Sequence, residues 1–253
     1  MRFLFIGDIV GSRGCRFAAA KVPEIKREYG VDFVIVNGEN SADGNGITPA
    51  SADMLSFADV ITTGNHVFRR REIYDTLNGN CNIIRPANYP EGAPGRGMYI
   101  LDMGRARIAV INLMGTIFMD ALDNPFAVID SLLEETDTPN IIVDIHAEAT
   151  SEKKALGQYL DGRVTAVIGT HTHVQTADEV ILPKGTAYIT DAGMCGAELS
   201  VLGVKSEIII NKLKNKLPAR FTESENPPFL NGAVVEFDEK VGKSAYINRI
   251  LIR

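Results

Sequence analysis

The stretch that decides the fold reads Phe3-Leu4-Phe5-Ile6-Gly7-Asp8, an apolar run that ends in a glycine and an acid. A helical pattern follows over residues 12–29, and a second apolar run covers residues 33–36. Apolar runs that alternate with helical patterns are typical of parallel strands joined by crossover helices. This part of the chain therefore predicts an α/β fold.

The same alternation continues along the chain, with one interruption. Apolar segments at residues 99–102 and 107–112 flank Met103-Gly104-Arg105-Ala106, which predicts an antiparallel hairpin. Further strands are predicted at residues 60–62, 141–145, 164–168, 179–182, 187–190, 234–237 and 246–251, and further helices from Thr48-Pro49 and at residues 125–135, 151–160 and 204–217. The fold class is therefore mixed α/β, with two sheets enclosed by helices. We expect one domain over residues 1–253, in which residues 85–97 form a long surface loop.

The composition is that of a soluble globular protein. Of 253 residues, 45% are hydrophobic and 23% are charged, and no apolar run approaches the roughly 20 residues that a membrane span needs. The apolar run before Gly7 is too short for the core of a secretion signal. The net charge of −6 disfavours a dedicated nucleic-acid-binding surface. Three scattered cysteines, Cys15, Cys81 and Cys195, favour reduced thiols, so we expect a cytoplasmic protein.

Polar residues collect where the predicted strands end. The segments are Gly7-Asp8, Asn37-Gly38-Glu39-Asn40, Gly64-Asn65-His66, His146 and Gly169-Thr170-His171-Thr172-His173, and they contain all 4 histidines of the protein. In an open α/β sheet the carboxyl ends of parallel strands form the ligand crevice, so these segments should converge. Imidazole and carboxylate groups together are the usual ligands of catalytic divalent metals. The sequence therefore predicts a metal site.

Each of these residues, taken alone, has a simpler explanation. An aspartate such as Asp8 commonly caps a helix or turns the chain, Asn65 alone suits a turn, and His146 alone suits a hydrogen-bonded histidine near the core. The combination favours the metal site, and alternate residues such as His171 and His173 project to the same side of an extended segment. Two divalent ions, two carboxylates and one hydroxide leave a small positive excess, which suits a phosphate diester without excluding a monoester.

In their order along the chain, these segments resemble the motifs of the calcineurin-like metallophosphoesterases, which run Gly-Asp, Gly-Asp, Gly-Asn-His, His and Gly-His-x-His. Two departures stand out, because Val10 replaces the histidine expected after the first Asp and Glu39-Asn40 replaces the second Asp. With these departures the chain is similar to the bacterial YmdB-like branch. The segments Arg85-Pro86-Ala87-Asn88-Tyr89-Pro90 and Thr190-Asp191-Ala192-Gly193-Met194 also match that branch, so the resemblance spans nearly the whole chain.

The resemblance implies a four-layer α-β-β-α sandwich of the metallophosphoesterase type. It also implies a phosphodiesterase that acts on 2′,3′-cyclic nucleotides, with 3′,5′-cyclic nucleotides as further candidates. Two divalent metal ions would activate a hydroxide to attack the phosphorus, and iron or manganese suits the oxygen-rich ligands better than zinc or magnesium. The partner would be a small-molecule phosphate ester, and a homodimer is left open.

The resemblance carries residue roles over motif by motif. One metal would be held by Asp8, Glu39, Asn40 and His173, and the other by Glu39, Asn65, His146 and His171, so that Glu39 bridges the two. His66 follows a ligand without being one. It would contact the phosphate and protonate the leaving oxygen, or else only orient Asn65.

Other interpretations stay open. The run Arg69-Arg70-Arg71 suits a solvated charged face, but it opposes the dipole of a predicted helix, so a substrate phosphate or an acidic neighbouring subunit is an alternative. The same scaffold could serve a phosphomonoesterase or nucleotidase, or a metal-binding regulatory protein with little catalysis. A dinucleotide-binding fold is disfavoured, because Gly7, Gly11 and Gly14 lack the Gly-x-Gly-x-x-Gly spacing.

Overall fold

The computed structural model describes residues 1–79 and 81–253, and its strands form two six-stranded sheets. In chain order the strands are β1 (Arg2–Val10), β2 (Phe33–Asn40), β3 (Val60–Thr62), β4 (Met98–Asp102), β5 (Arg107–Met114), β6 (Ile141–His146), β7 (Ala166–Thr170), β8 (Val180–Ile181), β9 (Ala187–Ile189), β10 (Met194–Ala197), β11 (Pro228–Asp238) and β12 (Lys243–Ile252). The first sheet has the order β12-β11-β10-β1-β2-β3, and the second has the order β4-β5-β6-β7-β9-β8.

Both sheets are mixed, as the sequence predicted. In the first sheet β1 runs parallel to β2 and β10 but antiparallel to β11. In the second sheet β5, β6, β7 and β9 are parallel, whereas β4 and β8 are antiparallel edge strands. The predicted hairpin is the antiparallel pair of β4 and β5. The parallel centre of each sheet brings the carboxyl ends of its strands to one edge.

The described residues form six helices, and all but the last contribute buried side chains to the cores on the outer faces of the two sheets. They are α1 (Gly11–Tyr29), α2 (Pro49–Asp53), α3 (Tyr74–Asn78), α4 (Pro125–Glu135), α5 (Thr150–Tyr159) and α6 (Ser206–Asn215). The predicted start of α2 is confirmed, since the Thr48 side chain accepts a hydrogen bond from Ser51 N in a capping box. Among the residues that the structure describes, none of the helices has the length and apolar character needed to cross a bilayer.

Side chains that alternate along the central strands point into different cores. In β1, Phe3 and Phe5 pack between the two sheets, whereas Leu4 and Ile6 pack beneath α1. A third core lies between the second sheet and the helices α4 and α5, and it includes Leu156. This sequence of helix, sheet, sheet and helix is the predicted four-layer sandwich, so the predicted fold class is confirmed.

The first sheet differs from the prediction at the end of β1 and in one additional strand, β10. The first strand continues through Gly7 to Val10, because Asp8 pairs with Asn37 of β2 and with Met194 of β10. The strand β10 was not predicted. A Cβ atom at Gly7 would collide with the carbonyl of Gly193, so only glycine lets the chain leading into β10 lie this close. Asp8 is therefore inside a strand rather than in the turn after it.

Other predicted elements need smaller corrections. The loop expected at the surface over residues 85–97 is buried in its first part, where Arg85 is 6% exposed and Asn88 is 0% exposed. The last helix was predicted too long, since α6 ends at Asn215, before the proline at position 218. The helix predicted at the arginine run is short, and it consists of a 3-10 turn, Arg71–Ile73, followed by α3.

Candidate metal centre

The fold brings the polar segments together at one end of the sandwich. Asp8 lies in β1, Glu39 and Asn40 end β2, and His146 ends β6 in the facing sheet. The remaining residues follow strands directly, Asn65 and His66 after β3, and His171 and His173 after β7. Every residue that the sequence pattern selected therefore lies at this end, where the carboxyl ends of the central strands from both sheets meet.

Glu39 lies at the middle of the cluster and is 1% exposed. Its Oε1 accepts a hydrogen bond from Asn40 Nδ2 at 2.9 Å and lies 3.3 Å from His146 Nε2. Its Oε2 accepts a hydrogen bond from the backbone N of His66 at 3.0 Å. One carboxylate thus contacts residues of both sheets.

His146 is held in a defined orientation by a buried hydrogen-bond chain. Its Nδ1 lies 2.9 Å from Thr170 Oγ1, and that hydroxyl donates to Asp144 Oδ1 at 2.7 Å. Because the hydroxyl proton is used on Asp144, Thr170 accepts from Nδ1–H, which leaves Nε2 of His146 as the ring nitrogen that faces the cluster. Nε2 lies 3.0 Å from Asn65 Oδ1 and 3.1 Å from His171 Nδ1.

Asp8 and His173 form the other side of the cluster. Asp8 Oδ2 accepts a hydrogen bond from His171 N at 3.0 Å. Asp8 Oδ1 lies 3.7 Å from His173 Nε2 and is buried without a hydrogen-bond partner among the described residues. The Asn40 amide joins the two sides, since its Nδ2 lies 3.2 Å from His173 Nε2.

These side chains suit a divalent cation. One ligand atom each from Glu39, His146 and His171 can be chosen so that all three lie within 4.8 Å of one another. Several of the converging atoms are acceptors without a proton to share, and the unpaired Asp8 Oδ1 would be costly to bury unless something neutralises it. A Cβ atom at Gly64 would collide with the His146 imidazole and with Glu39 Oε2, so a glycine preserves this space.

The charges in the cluster are strongly coupled. Burial would raise the pKa of Glu39, but the imidazoles of His146 and His66 outweigh burial and hold this pKa well below its usual range. Burial opposes protonation of His146, yet the Glu39 carboxylate raises the His146 pKa to about 9. Burial, reinforced by His146, lowers the pKa of His171 to about 3. A cation that binds His146 Nε2 must therefore displace a proton.

His66 lies at the edge of the cluster, where its side chain is 27% exposed. Its Nδ1 lies 2.8 Å from Asn40 Oδ1 and 3.2 Å from Glu39 Oε1. The ring therefore contacts Asn40 and Glu39, and in the part of the chain that the structure describes no hydrogen bond joins it to Asn65. With Nδ1–H donated to Asn40, Nε2 is the ring atom left for a substrate.

The arginine run lies beside the cluster on a partly exposed segment. Arg70 donates from Nε to Asn45 O at 3.1 Å and pairs with Asp43 Oδ2 at 3.4 Å. Arg69 and Arg71 are exposed. Arg70 thus fastens the loop after β2, while the other two side chains fit the solvated face that the sequence favoured.

Sequence reasoning missed the residues that support the histidines. Asp144 stands two positions before His146 in the apolar strand β6, and on a strand that spacing places both side chains on one face, which was the available signal. Glu148 lies 3.0 Å from His171 Nε2 through its Oε2. Lys153 and Asp191 form an ion pair at 2.7 Å, with each side chain 1% exposed, and no local pattern marks it.

Comparisons with known proteins agree with this architecture. The calcineurin-like phosphoesterase YfkN from Bacillus subtilis has the same fold, with a TM-score of 0.56 at 10% identity over 100% of this chain and 90% of that one. This chain thus shares the fold of a calcineurin-like phosphoesterase.

The relationship can be made more specific. The model of the YmdB-like protein family matches residues 4–250, and this chain belongs to that family. A protein of Bacillus subtilis (strain 168), named 2′,3′-cyclic-nucleotide 2′-phosphodiesterase, is 50% identical over 256 aligned residues, which cover 100% of this chain and 97% of that protein. A crystal structure described as a novel phosphatase from Mycoplasma pneumoniae is 35% identical, with a TM-score of 0.94 over 100% of this chain and 93% of that chain.

Proposed function

We propose that this chain is a metal-dependent phosphodiesterase that hydrolyses the 2′ ester of 2′,3′-cyclic nucleotides and leaves the 3′-nucleotide. The observation that carries the proposal is the convergence of acceptor atoms from Glu39, His146, His171 and Asn65 beside the unpaired Asp8 Oδ1. The activity in the name of the relative that is 50% identical over the whole chain supports this choice of substrate.

We further propose that the cluster holds two ions. Asp8, Glu39, Asn40 and His173 would hold one ion, and Glu39, Asn65, His146 and His171 would hold the other. The two oxygens of Glu39 already face different neighbours, which suits a bridging carboxylate. Iron or manganese suits the carboxylate, amide and imidazole donors. When bound, such ions lower the pKa of a water molecule and neutralise charge on the phosphoryl oxygens.

The protein's own residues would complete the reaction. Hydrolysis breaks the bond between phosphorus and the 2′ oxygen, and that oxygen needs a proton as it leaves. His66 can supply it, because its Nδ1 is fixed by Asn40 Oδ1 at 2.8 Å and its Nε2 remains for a proton. Asn40 would thereby set the direction of proton donation as well as contribute to the ion site.

The activity can be tested with purified, metal-loaded protein and a panel of 2′,3′-cAMP, 3′,5′-cAMP and 3′-AMP. We expect 2′,3′-cAMP to be converted to 3′-AMP, with little release of inorganic phosphate, and we expect chelation to abolish the conversion. Faster release of inorganic phosphate from 3′-AMP than opening of the cyclic ester would instead identify a phosphomonoesterase.

The role of His66 has a separate test. His66→Ala is expected to lower kcat by about 10²–10⁴-fold, the usual contribution of a general acid, while metal content stays at the wild-type level. Glu39→Gln is the matched comparison, and it should lose metal as well as rate. If His66→Ala also loses metal, then His66 supports the ligands and is not the proton donor.

A further inference from the structure

The segment that follows β5, residues 115–124, carries an aromatic side chain that the fold leaves uncovered. We call this segment the rim loop. Its Phe118 is 88% exposed, more than any other large hydrophobic side chain among the described residues. The backbone of Phe118 has a φ of 63°, a left-handed conformation that non-glycine residues adopt only where the surroundings impose it.

The rim loop is firmly held. Asn88, which is 0% exposed, pins both ends, because its Nδ2 donates to Met114 O at 2.8 Å and to Asp123 O at 3.1 Å. Glu152, which is 7% exposed, accepts hydrogen bonds from Thr116 N at 2.9 Å and from Thr116 Oγ1 at 3.1 Å. Buried polar side chains thus hold the loop in the conformation that presents the phenyl ring.

The rim loop also borders the metal centre on both sides of that ring. Before it, Gly115 N donates to His146 O at 3.0 Å. Immediately after it, Met119 Sδ accepts a hydrogen bond from Glu148 N at 3.4 Å, and Glu148 Oε2 lies 3.0 Å from His171 Nε2. Phe118 is therefore the direct neighbour of a residue whose side chain contacts Glu148, the acid that lies against His171.

We propose that Phe118 is the surface on which the base of the nucleotide substrate stacks while the cyclic phosphate lies at the cluster. This inference rests on the proposed function. A phenyl ring offers its π-face to any base, so it would add affinity for nucleotides with little hydrogen-bond discrimination among bases. The larger ring system of a purine would gain more contact than that of a pyrimidine.

The test compares a substrate that carries a base with one that lacks it. For Phe118→Ala we expect the KM for 2′,3′-cAMP to rise about tenfold, which corresponds to ~1.4 kcal/mol of stacking, while kcat changes less than twofold. The KM for glycerol 1,2-cyclic phosphate, which has the five-membered cyclic ester but no base, should change less than twofold. Phe118→Trp should keep the wild-type KM for 2′,3′-cAMP.

Two control variants separate stacking from other effects. Phe118→Leu keeps apolar bulk but lacks a π-face, so it should raise the KM for 2′,3′-cAMP nearly as much as Phe118→Ala. Val241→Ala removes an exposed side chain in the turn between β11 and β12. This turn contacts Pro139, near the start of β6, so the variant should leave both KM values unchanged.

Other results would overturn the proposal in distinguishable ways. An unchanged KM for 2′,3′-cAMP in Phe118→Ala means that the base does not stack there. An equal rise for both substrates means that the ring shapes the loop and does not bind the base. Failure of the proposed function would appear in the wild-type protein, which would leave both cyclic esters intact, and the stacking proposal would then fall with it.

Discussion

The two sheets contribute to the centre in different ways. The first sheet contributes Asp8, Glu39 and Asn40, which lie within strands and are at most 1% exposed. The second sheet contributes His171 and His173 on a loop after β7, where their φ values are 100° and 63°. Strand pairing places the acids, whereas the histidines adopt backbone conformations that need support from other groups.

That support comes from a buried network around one aspartate. Asp191 Oδ2 accepts hydrogen bonds from Thr172 N at 3.1 Å, from Thr172 Oγ1 at 2.7 Å and from Lys153 Nζ at 2.7 Å. Asp191 Oδ1 accepts from Gly193 N at 2.8 Å. We call Asp8, Glu39 and Asn40 the acid side of the centre, and the loop with His171 and His173 its histidine side. The positions of the acid side depend on the backbone of paired strands, whereas those of the histidine side depend on a few supporting side chains.

The largest effect is expected from removing the buried partner of Asp191. Lys153→Met leaves an uncompensated carboxylate in the interior and should lower the free energy of unfolding by about 3–5 kcal/mol, measured by urea denaturation. Lys154→Met, one residue along α5, removes an exposed partner of Asp178 and a cation that lies 5.6 Å from the Tyr188 ring, and it should cost about 0–1 kcal/mol. Equal losses of unfolding free energy in the two variants would show that the histidine side does not depend on the buried ion pair.

A smaller effect of opposite sign is expected on the acid side. Burial raises the pKa of Asp8, because desolvation outweighs the nearby imidazoles of His173 and His146. In chelated protein at pH 7, Asp8→Asn should therefore raise the free energy of unfolding by about 1–2 kcal/mol, as removing a group kept for function often does. A loss of stability in urea denaturation would show that the acid side also depends on its charges.

The smallest effect concerns the pH dependence of the free energy of unfolding. It arises at Asp178, which follows the loop of His171 and His173 along the chain. Burial opposes ionisation of Asp178, but hydrogen bonds from Thr190, Thr176 and Lys154 outweigh it and lower the Asp178 pKa to about 2. Because this pKa is below the ordinary value of 3.8, the carboxylate stabilises the fold at pH values above about 4 and loses that contribution as the pH falls towards 2.

The measurement is urea denaturation of wild-type protein and Asp178→Asn between pH 7 and pH 2.5. The difference in stability should be about 1 kcal/mol or less at pH 7, because solvent screens this partly exposed group, and it should shrink towards pH 2.5. Lys154→Met keeps the Thr190 hydrogen bonds and should retain most of the pH dependence. A difference that stays constant with pH would assign the effect to packing.

Prediction of the fold succeeded where local patterns carry the information. The alternation of strands and helices, the hairpin of β4 and β5 and the capped start of α2 follow from periodicity and turn chemistry. The strand β10, with the sequence Met194-Cys195-Gly196-Ala197, has no such pattern. It is a strand because β1 and β11 pair with it on either side, which is a long-range condition.

The candidate site was predicted as a set of residues, and the structure brings that whole set to one place. The supporting residues were not predicted, because Thr170, Asp191 and Lys153 matter only through contacts between distant parts of the chain. The segment that contains Asn88 was noted as a family motif. Its role in holding both ends of the rim loop was not predicted, because that role also depends on distant contacts. The metal ligand roles, the cytoplasmic location and a homodimer stay predictions.

The sequence by itself determined most of the helices and strands and which side chains are suited to a metal ion, because both depend on periodicity and on residue type next to strand ends. Only the tertiary structure decided how those residues are held. Asp8 became part of a strand through pairing with β10, and the two loop histidines took their positions from a buried ion pair. The physical reason is that pairing and burial join residues far apart in sequence, and no local pattern encodes such contacts.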